Sequence, residues 1–509
     1  MSTIGFIQTN QSTKHVANPW RTEYSQSSTI FGKHTFVPIN MEKALNDNVI
    51  VVGTSGTGKT YSFVEPNILQ GNTNYVVADA KGDILRDTGA SLKKMGYKIQ
   101  VLNLVDLQHS NTYNPLAYLN DPLDYLQFAD QVITSDVTGF HSAKDSRQDP
   151  FWDTAAETLL QALIYFVKEF LPEDQQNMGN VNRLFNLLDT PAESIGDALT
   201  ILKQSKLDFE YRFDPKKAPS SLYDQEYITI GDLLFEWALQ ENPASQAVKM
   251  WQKVACGKEA AKMWHSIVGI LGVNLTRYAL ADVENLTSGN EIDFNSLLQP
   301  KTALFILYDD ADYSKNFISN NLYDQLFSFL FHTSRKTGNK LPVKVRFFLD
   351  DFSNLHIPDF PKKLATARSR NISICMMLQD EGQLKAMFGA PLAETVISNC
   401  QSYLLTGTNS LVQSEQSAER FAPISAQEIR LMHDRFLLQT SGRNVEVERS
   451  DYHNSPNYID AIYDIAEHFT TPSLKKSGGL IEVLKSLPGV YKIGYCEPQE
   501  NDITELFNN

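Results

Sequence analysis

Apolar residues along this chain fall into short runs of strand length, set between stretches with helical spacing. Runs at 48–52, 75–78 and 98–104 alternate with helical segments, the first of them ending at a glycine. That alternation predicts βαβ units and therefore a parallel sheet. The pattern changes near residue 149. From 151 to 170 the chain places Trp152, Ala155, Ala156, Leu159, Leu160, Leu163, Ile164 and Val167 at helical spacing, and helical segments continue to about residue 286 around a Pro- and Lys-containing loop at 214–219. Strand runs resume at 303–308, 343–349, 372–378 and 403–406. The expected fold is α/β, with a mostly parallel central sheet interrupted by an inserted all-α domain and then completed.

Five segments follow from this reading. Residues 1–47 form a polar arm rich in Ser, Thr, Asn and Gln, with one extended stretch at 29–38 that reads as an edge strand. The first half of the sheet domain occupies 48–148, the helical insertion 149–295 and the second half 296–460. Residues 461–509 are expected to be a peripheral acidic tail: from Asp460 onward there are eight acidic residues against four lysines. No internal repeat or low-complexity tract is present.

With 509 residues, 42% hydrophobic and 21% charged, the chain can bury a full core, and disordered, collagenous and disulfide-stapled classes are excluded. Cys256, Cys375, Cys400 and Cys496 show no C-x-x-C spacing, so they read as buried thiols of a reducing cytosol. No run approaches the roughly 20 apolar residues of a membrane span, and the start has no signal-peptide core. A soluble intracellular protein is expected. Its net charge is -15, which repels polyanions on average, so nucleic-acid binding would need a local basic surface.

Candidate chemistry begins directly after the first strand run. Gly53-Thr54-Ser55-Gly56-Thr57-Gly58-Lys59-Thr60 matches G-x-x-x-x-G-K-[ST] in full, between a strand and a helix. Glycines there let successive backbone N–H groups curl around phosphate oxygens, Lys59 reaches the β- and γ-phosphates, and the Thr60 hydroxyl binds Mg²⁺. The expected ligands are ATP and Mg²⁺. The partner motif is a strand ending in acids: the run 343–349 leads into Asp350, the metal-side candidate, and Asp351, the candidate for polarising water. Such motors usually carry Glu at the second position. The run 372–378 ends at Gln379, a candidate γ-phosphate sensor. Lys362, Lys363, Arg368 and Arg370 precede that run; Arg368 and Arg370 read either as arginine fingers acting from a neighbouring subunit or as solvated cations.

The segment 48–69 with its Val64-Glu65-Pro66-Asn67-Ile68-Leu69 continuation, then Val77-Ala78-Asp79-Ala80-Lys81-Gly82-Asp83, then Asp149-Pro150-Phe151-Trp152, resembles the type IV coupling proteins of bacterial conjugation. These are the TraG-like members of the FtsK/HerA superfamily of P-loop motors. So do Phe348-Leu349-Asp350-Asp351-Phe352-Ser353-Asn354, Ile357-Pro358-Asp359-Phe360, Ala367-Arg368-Ser369-Arg370-Asn371-Ile372-Ser373, Gln379, Asn399-Cys400 and, more weakly, Tyr452-His453. The resemblance covers roughly residues 30–460. It implies a RecA-like P-loop ATPase that receives a relaxase with its single-stranded DNA, bound without sequence preference, and passes it to a secretion channel, as a hexamer around a central passage. The family pattern has Asp-Pro-Lys-Gly-Glu where this chain has Asp79-Ala80-Lys81-Gly82-Asp83, and Asp-Glu where it has Asp350-Asp351. Most members begin with a transmembrane anchor, and none is read here. The implied location is therefore the cytoplasm of a bacterium, at the inner face of the cell membrane, recruited by a separate anchor protein near the channel ATPase.

Residues 335–370 hold nine Lys or Arg against three Asp, a local charge of +6. This island either faces DNA phosphates in a channel or pairs with an acidic surface on the next subunit. Trp152, Trp237, Trp251 and Trp264 fall in the helical insertion, where they read as core, with stacking on DNA or a grip on a relaxase as the alternative. Two other functions remain open: a nucleotide-gated substrate receptor with little hydrolysis, and an FtsK-like DNA pump.

Overall fold

The computed structural model describes residues 28–39, 46–134, 150–192, 201 and 228–472. Asp149, the 214–219 loop, Cys496 and the tail from residue 473 lie outside the described residues. Within them, thirteen strands form one nine-stranded sheet and two small two-stranded pairs. The first hairpin pairs β1 (Ser28–Gly32) with β2 (Thr35–Pro38). The sheet takes β3 (Val49–Gly53), β4 (Asn74–Ala80) and β5 (Lys98–Asn103) from the first half of the chain. A two-residue pair, β6 (Pro191–Ala192) and β7 (Ile228–Thr229), interrupts the helices that follow, so this region is not purely α. The sheet then adds β8 (Thr302–Tyr308), β9 (Val345–Leu349), β10 (Ile372–Leu378), β11 (Ser402–Gly407), β12 (Arg435–Thr440) and β13 (Arg443–Glu448).

The strand order is β13-β12-β11-β3-β10-β9-β4-β8-β5. Every pair from β11 to β5 is parallel, and the β12–β13 hairpin closes one edge in antiparallel fashion. The hairpin was not expected from the chain pattern, although its last strand alternates Val445-Glu446-Val447-Glu448 after a Ser441-Gly442 turn in which both residues have positive φ. The central strands are apolar on both faces because both faces are covered. Ile50, Val52, Val76, Ala78, Phe347 and Leu349 point into one core, while Val49, Val51, Tyr75, Val77 and Phe348 point into the other.

The first of these cores runs without a break into the helical region. That region already begins at the helix Pro122–Thr134, ahead of residue 149, where Tyr125 stacks on Tyr165 of the long helix Pro150–Phe170 at 4.0 Å between ring centres. Its tryptophans are structural. Trp237, Trp251 and Trp264 are buried, Phe235 stacks flat on Trp251 at 4.3 Å, and the Trp264 Nε1–H donates to Asp189 at 2.8 Å. No helix among the described residues is long and apolar enough to cross a membrane.

Three expectations are corrected. Residues 461–472 do not hang free: Tyr463 and Phe469 are buried in the second core, and the Thr471 N–H donates to the Gln108 carbonyl at 2.8 Å. Cys256 is exposed rather than buried, whereas Cys375 is buried and Cys400 partly so. The polar arm contributes to the body, since all of β1 is buried.

Asn67 explains how that arm is held. Its buried side chain accepts from the Ile30 N–H at 2.9 Å and donates to the Ile30 carbonyl at 2.8 Å and the Phe63 carbonyl at 2.7 Å. Its Oδ1 also accepts from Arg346, a fully buried arginine on β9 whose guanidinium reaches Thr29 Oγ1 at 2.9 Å and lies over the Phe348 ring. One amide thus ties β1, the helix after β3 and β9 together. Asn67→Ala would strand several buried polar groups and should lower the free energy of unfolding by roughly 3 kcal/mol. Urea unfolding measures the loss, and protease cleavage within residues 28–38 should speed up with it.

Candidate functional site

The phosphate loop is shaped by two glycines and braced by β11. Gly56 and Gly58 adopt φ of +80° and +88°, which a side chain would resist. Gly53 has no room for a side chain: a Cβ there would lie 2.0 Å from Thr406 Oγ1. Thr57 Oγ1 donates to the Thr54 carbonyl at 2.8 Å and meets Thr406 Oγ1 at 2.7 Å, and the Thr54 N–H donates to the Gly407 carbonyl at 3.1 Å. Thr406 and Gly407 were absent from the sequence-derived candidates. Their signal is positional only: they end the parallel neighbour of β3, Gly407 pairing with Gly53 and Thr406 sitting in the irregularity between that pair and Leu405–Val52.

The loop passes into a π-helical turn, Thr60–Val64, and then the helix Glu65–Ile68. Lys59 folds back over the loop, its ammonium 2.6 Å from the Gly53 carbonyl and 3.2 Å from that of Thr54. Burial lowers its pKa, against the pull of Asp350 and Asp351. The Thr60 hydroxyl donates to Asp350 Oδ2 at 2.9 Å. Asp350 stands at the end of β9, its own carbonyl accepting from the buried Tyr308 hydroxyl at 2.6 Å. Burial, then repulsion from Asp351, pushes its carboxyl up to about 6. Asp351 follows in the left-handed region at φ +42°, a conformation Asp tolerates better than most residues, and its N–H donates to Asp350 Oδ1.

Lys59, Thr60, Asp350 and Asp351 therefore meet at the carboxyl ends of β3 and β9. Strand β10 runs between those two, and Gln379 follows Leu378, which pairs with Val52, so Gln379 leaves the sheet exposed beside Gly53. Arg368 and Arg370 do not join the group within one chain. They form the turn before Ile372, at the amino end of β10, roughly 20 Å away at 3.3 Å per strand residue. Arg370 packs its guanidinium 5.4 Å from the Phe331 ring centre, while Arg368 is exposed. Much of the basic island is spent internally: Arg346 is buried, Lys344 pairs with Asp47, and Lys363 pairs with Asp324 at 2.6 Å.

The Asp79–Asp83 motif does structural work next door. Asp79, wholly buried, accepts from the N–H groups of Ile84 and Leu85 at 3.2 and 2.8 Å, starting the helix Asp83–Lys94. Lys81 and Gly82 make the turn with positive φ. Behind the phosphate loop, burial above all pushes both Asp79 and Glu65 up to about 8. On the loop's other side lies Arg449, also missing from the sequence-derived candidates: a Cβ on Gly58 would sit 2.3 Å from its Nη2.

The donor set fits a Mg²⁺–phosphate ligand, because hard oxygen donors from one hydroxyl and one carboxylate leave the remaining positions of an octahedral ion to phosphates and water. A profile of the type IV secretory system conjugative DNA transfer family matches residues 10–419. The chain belongs to that family. No curated protein matches it in sequence. Among solved structures, the conjugative coupling protein TrwBdeltaN70 in its unbound monoclinic form is similar at 14% identity and TM-score 0.54, over 87% of this chain and 92% of that one. Plasmid coupling protein TrwB with the non-hydrolysable analogue ADPNP is 16% identical at TM-score 0.53, over 87% and 94%. TrwB with ADP and Mg²⁺ is 15% identical at TM-score 0.51, over 83% and 90%. At these identities the likeness establishes the shared P-loop α/β fold of this conjugative DNA transfer chain.

Asp350 must ionise to hold a cation, and its proton is retained up to about pH 6. Protons therefore compete with Mg²⁺ below that pH and not above it. In ATP titrated with Mg²⁺, the Mg²⁺ dependence of binding should be flat above about pH 7 and weaken by up to roughly tenfold per pH unit well below 6. Asp350→Asn should show little Mg²⁺ dependence at any pH; a wild-type dependence equally strong at pH ~5 and ~8 would contradict the assignment.

Proposed function

We propose that this chain is a Mg²⁺-dependent ATPase that couples nucleotide turnover to conjugative DNA transfer. The observation that carries this reading is the Thr60–Asp350 hydrogen bond, which joins the end of the phosphate loop to the acidic strand end in a chain of the conjugative transfer family. Thr60 and Asp350 would hold Mg²⁺, which supplies charge neutralisation on the β- and γ-phosphates. The loop N–H groups and Lys59 bind and orient the triphosphate, Asp351 orients the attacking water, and Gln379 reports on the γ-phosphate from the strand between. The TrwB complexes with ADPNP and with ADP and Mg²⁺ support the choice of ligand.

The remaining partners follow the same reading. A ring of subunits, taken as a hexamer, would bring exposed Arg368 of one chain toward the site of the next. Exposed Arg335, Lys336 and Lys340 near the amino end of β9 would supply phosphate contacts to single-stranded DNA without reading bases. A relaxase, a membrane anchor protein that recruits the chain to the inner face of a bacterial membrane, and the secretion channel ATPase complete the proposed set.

Lys59→Ala should abolish ATP hydrolysis and DNA transfer while leaving the far-ultraviolet circular dichroism unchanged. Retained hydrolysis would refute the assignment. Asp351 tests turnover against gating. Asp351→Asn should cut the hydrolysis rate by about 10²-fold or more, on the scale of losing one positioned proton-transfer group, and transfer should fall with it. Transfer at the wild-type level in that variant favours a nucleotide-gated receptor.

A further inference from the structure

The strand order fixes where a nucleoside attached to the phosphates must lie. Asp350 is on the β10–β9 side of β3, so the terminal phosphate points that way. A nucleoside at the other end of the triphosphate would then lie on the opposite side, toward β11, β12 and β13, which follow β3 in the strand order. The chain that continues from β13 runs along this side: Arg449 crosses against Gly58, and Asp451, Tyr452 and His453 follow.

Tyr61, the residue directly after Thr60, meets this segment. Its hydroxyl donates to Asp451 Oδ1 at 2.7 Å and lies 3.1 Å from His453 Nδ1. Its ring stands edge-on to Tyr452 at 4.9 Å and makes an open corner with the His453 ring, 5.7 Å away and tilted by 53°. His453 in turn stacks on Tyr452 at 4.1 Å, and Tyr452 is buried. The corner itself is open to solvent: Tyr61 is 38% exposed and the His453 side chain 46%. Two partly exposed aromatic rings, oriented by a shared carboxylate and backed by Tyr452, with Tyr458 edge-to-face against His453 at 4.8 Å, thus stand beside the phosphate loop. Holding them in place beforehand removes the ordering cost that a base would otherwise meet on binding.

We propose that Tyr61 and His453 form the nucleobase subsite of this nucleotide site, with Asp451 as the positioning residue that orients both rings. The proposal rests on the phosphate-loop reading above. Every base has a π-face, so a stacking corner holds adenine and guanine alike and adds affinity without choosing between them.

Inorganic tripolyphosphate separates base from phosphate. With Mg²⁺ present, ATP, GTP and tripolyphosphate binding are compared in the full chain by calorimetry and by competition against labelled ATP. Tyr61→Leu keeps apolar bulk but removes the ring; it should weaken ATP and GTP by roughly tenfold and leave tripolyphosphate unchanged. Tyr61→Phe keeps the ring and should stay within about threefold of wild type for the nucleotides, and His453→Ala should follow Tyr61→Leu in a milder form. Lys59→Ala should lose all three ligands; failure of that result sinks the phosphate-site reading and not this one. Wild-type nucleotide affinity in Tyr61→Leu, or an equal loss of nucleotide and tripolyphosphate, overturns the subsite and leaves the cluster as an anchor for the segment after β13.

Discussion

A single hydrogen bond joins residues 290 positions apart: the Thr60 hydroxyl on the Asp350 carboxylate. It exists only because β3 and β9 run parallel with β10 between them, so that all three end on the same side of the sheet. Parallel pairing requires long crossovers, and the longest of them here carries the helical region between β5 and β8. The insertion is therefore not an ornament on the sheet. Its helices share one continuous core with the sheet face that includes Phe347 and Leu349, and that core holds β9 at the depth where Asp350 can meet Thr60.

Behind this contact the interior is unusually polar. Arg346, Asn67, Asp79 and Glu65 are all buried around the strand ends. Three of them have a local reason: Arg346 and Asn67 tie β1 to β9, and Asp79 starts a helix. Exclusion of water around them, with repulsion from neighbouring carboxylates, pushes the carboxyls of Asp79, Glu65 and Asp350 upward. The same burial that makes Asp350 reluctant to ionise would strengthen its grip on a cation once it has done so.

Much of this was legible in the chain. The loop from Gly53 to Thr60 and the acids after Leu349 declare themselves by residue type and spacing, and seven parallel strands by their apolar runs. What escaped did so for physical reasons. Strand β13 is a largely exposed edge with low apolar density, and in β12 the buried apolar run is only three residues long, Phe436 to Leu438. Thr406, Gly407 and Arg449 act through three-dimensional neighbours and carry no local pattern. The stretch 461–472 has acidic composition, yet two aromatic residues, Tyr463 and Phe469, suffice to dock it. Arg368 and Arg370, read as fingers acting from a neighbouring subunit or as solvated cations, stand a strand's length from Asp350 in their own chain, a separation that residue type alone does not show.

That separation also changes the meaning of the basic island. In a chain of net charge -15, exposed Arg335, Lys336, Lys340 and Arg368 lie at the amino ends of β9 and β10, while the proposed nucleotide site is at the carboxyl ends of those strands. Under the proposed function, a polyanion held by those four cations would lie a strand's length from the triphosphate of the same subunit. What connects them is two fully buried strands, packed on both faces and too stiff to bend independently. Under the proposed function, a shift of Asp350 or Gln379 toward the γ-phosphate is felt at Arg370 and Lys344 as movement of a rod rather than as a change in charge.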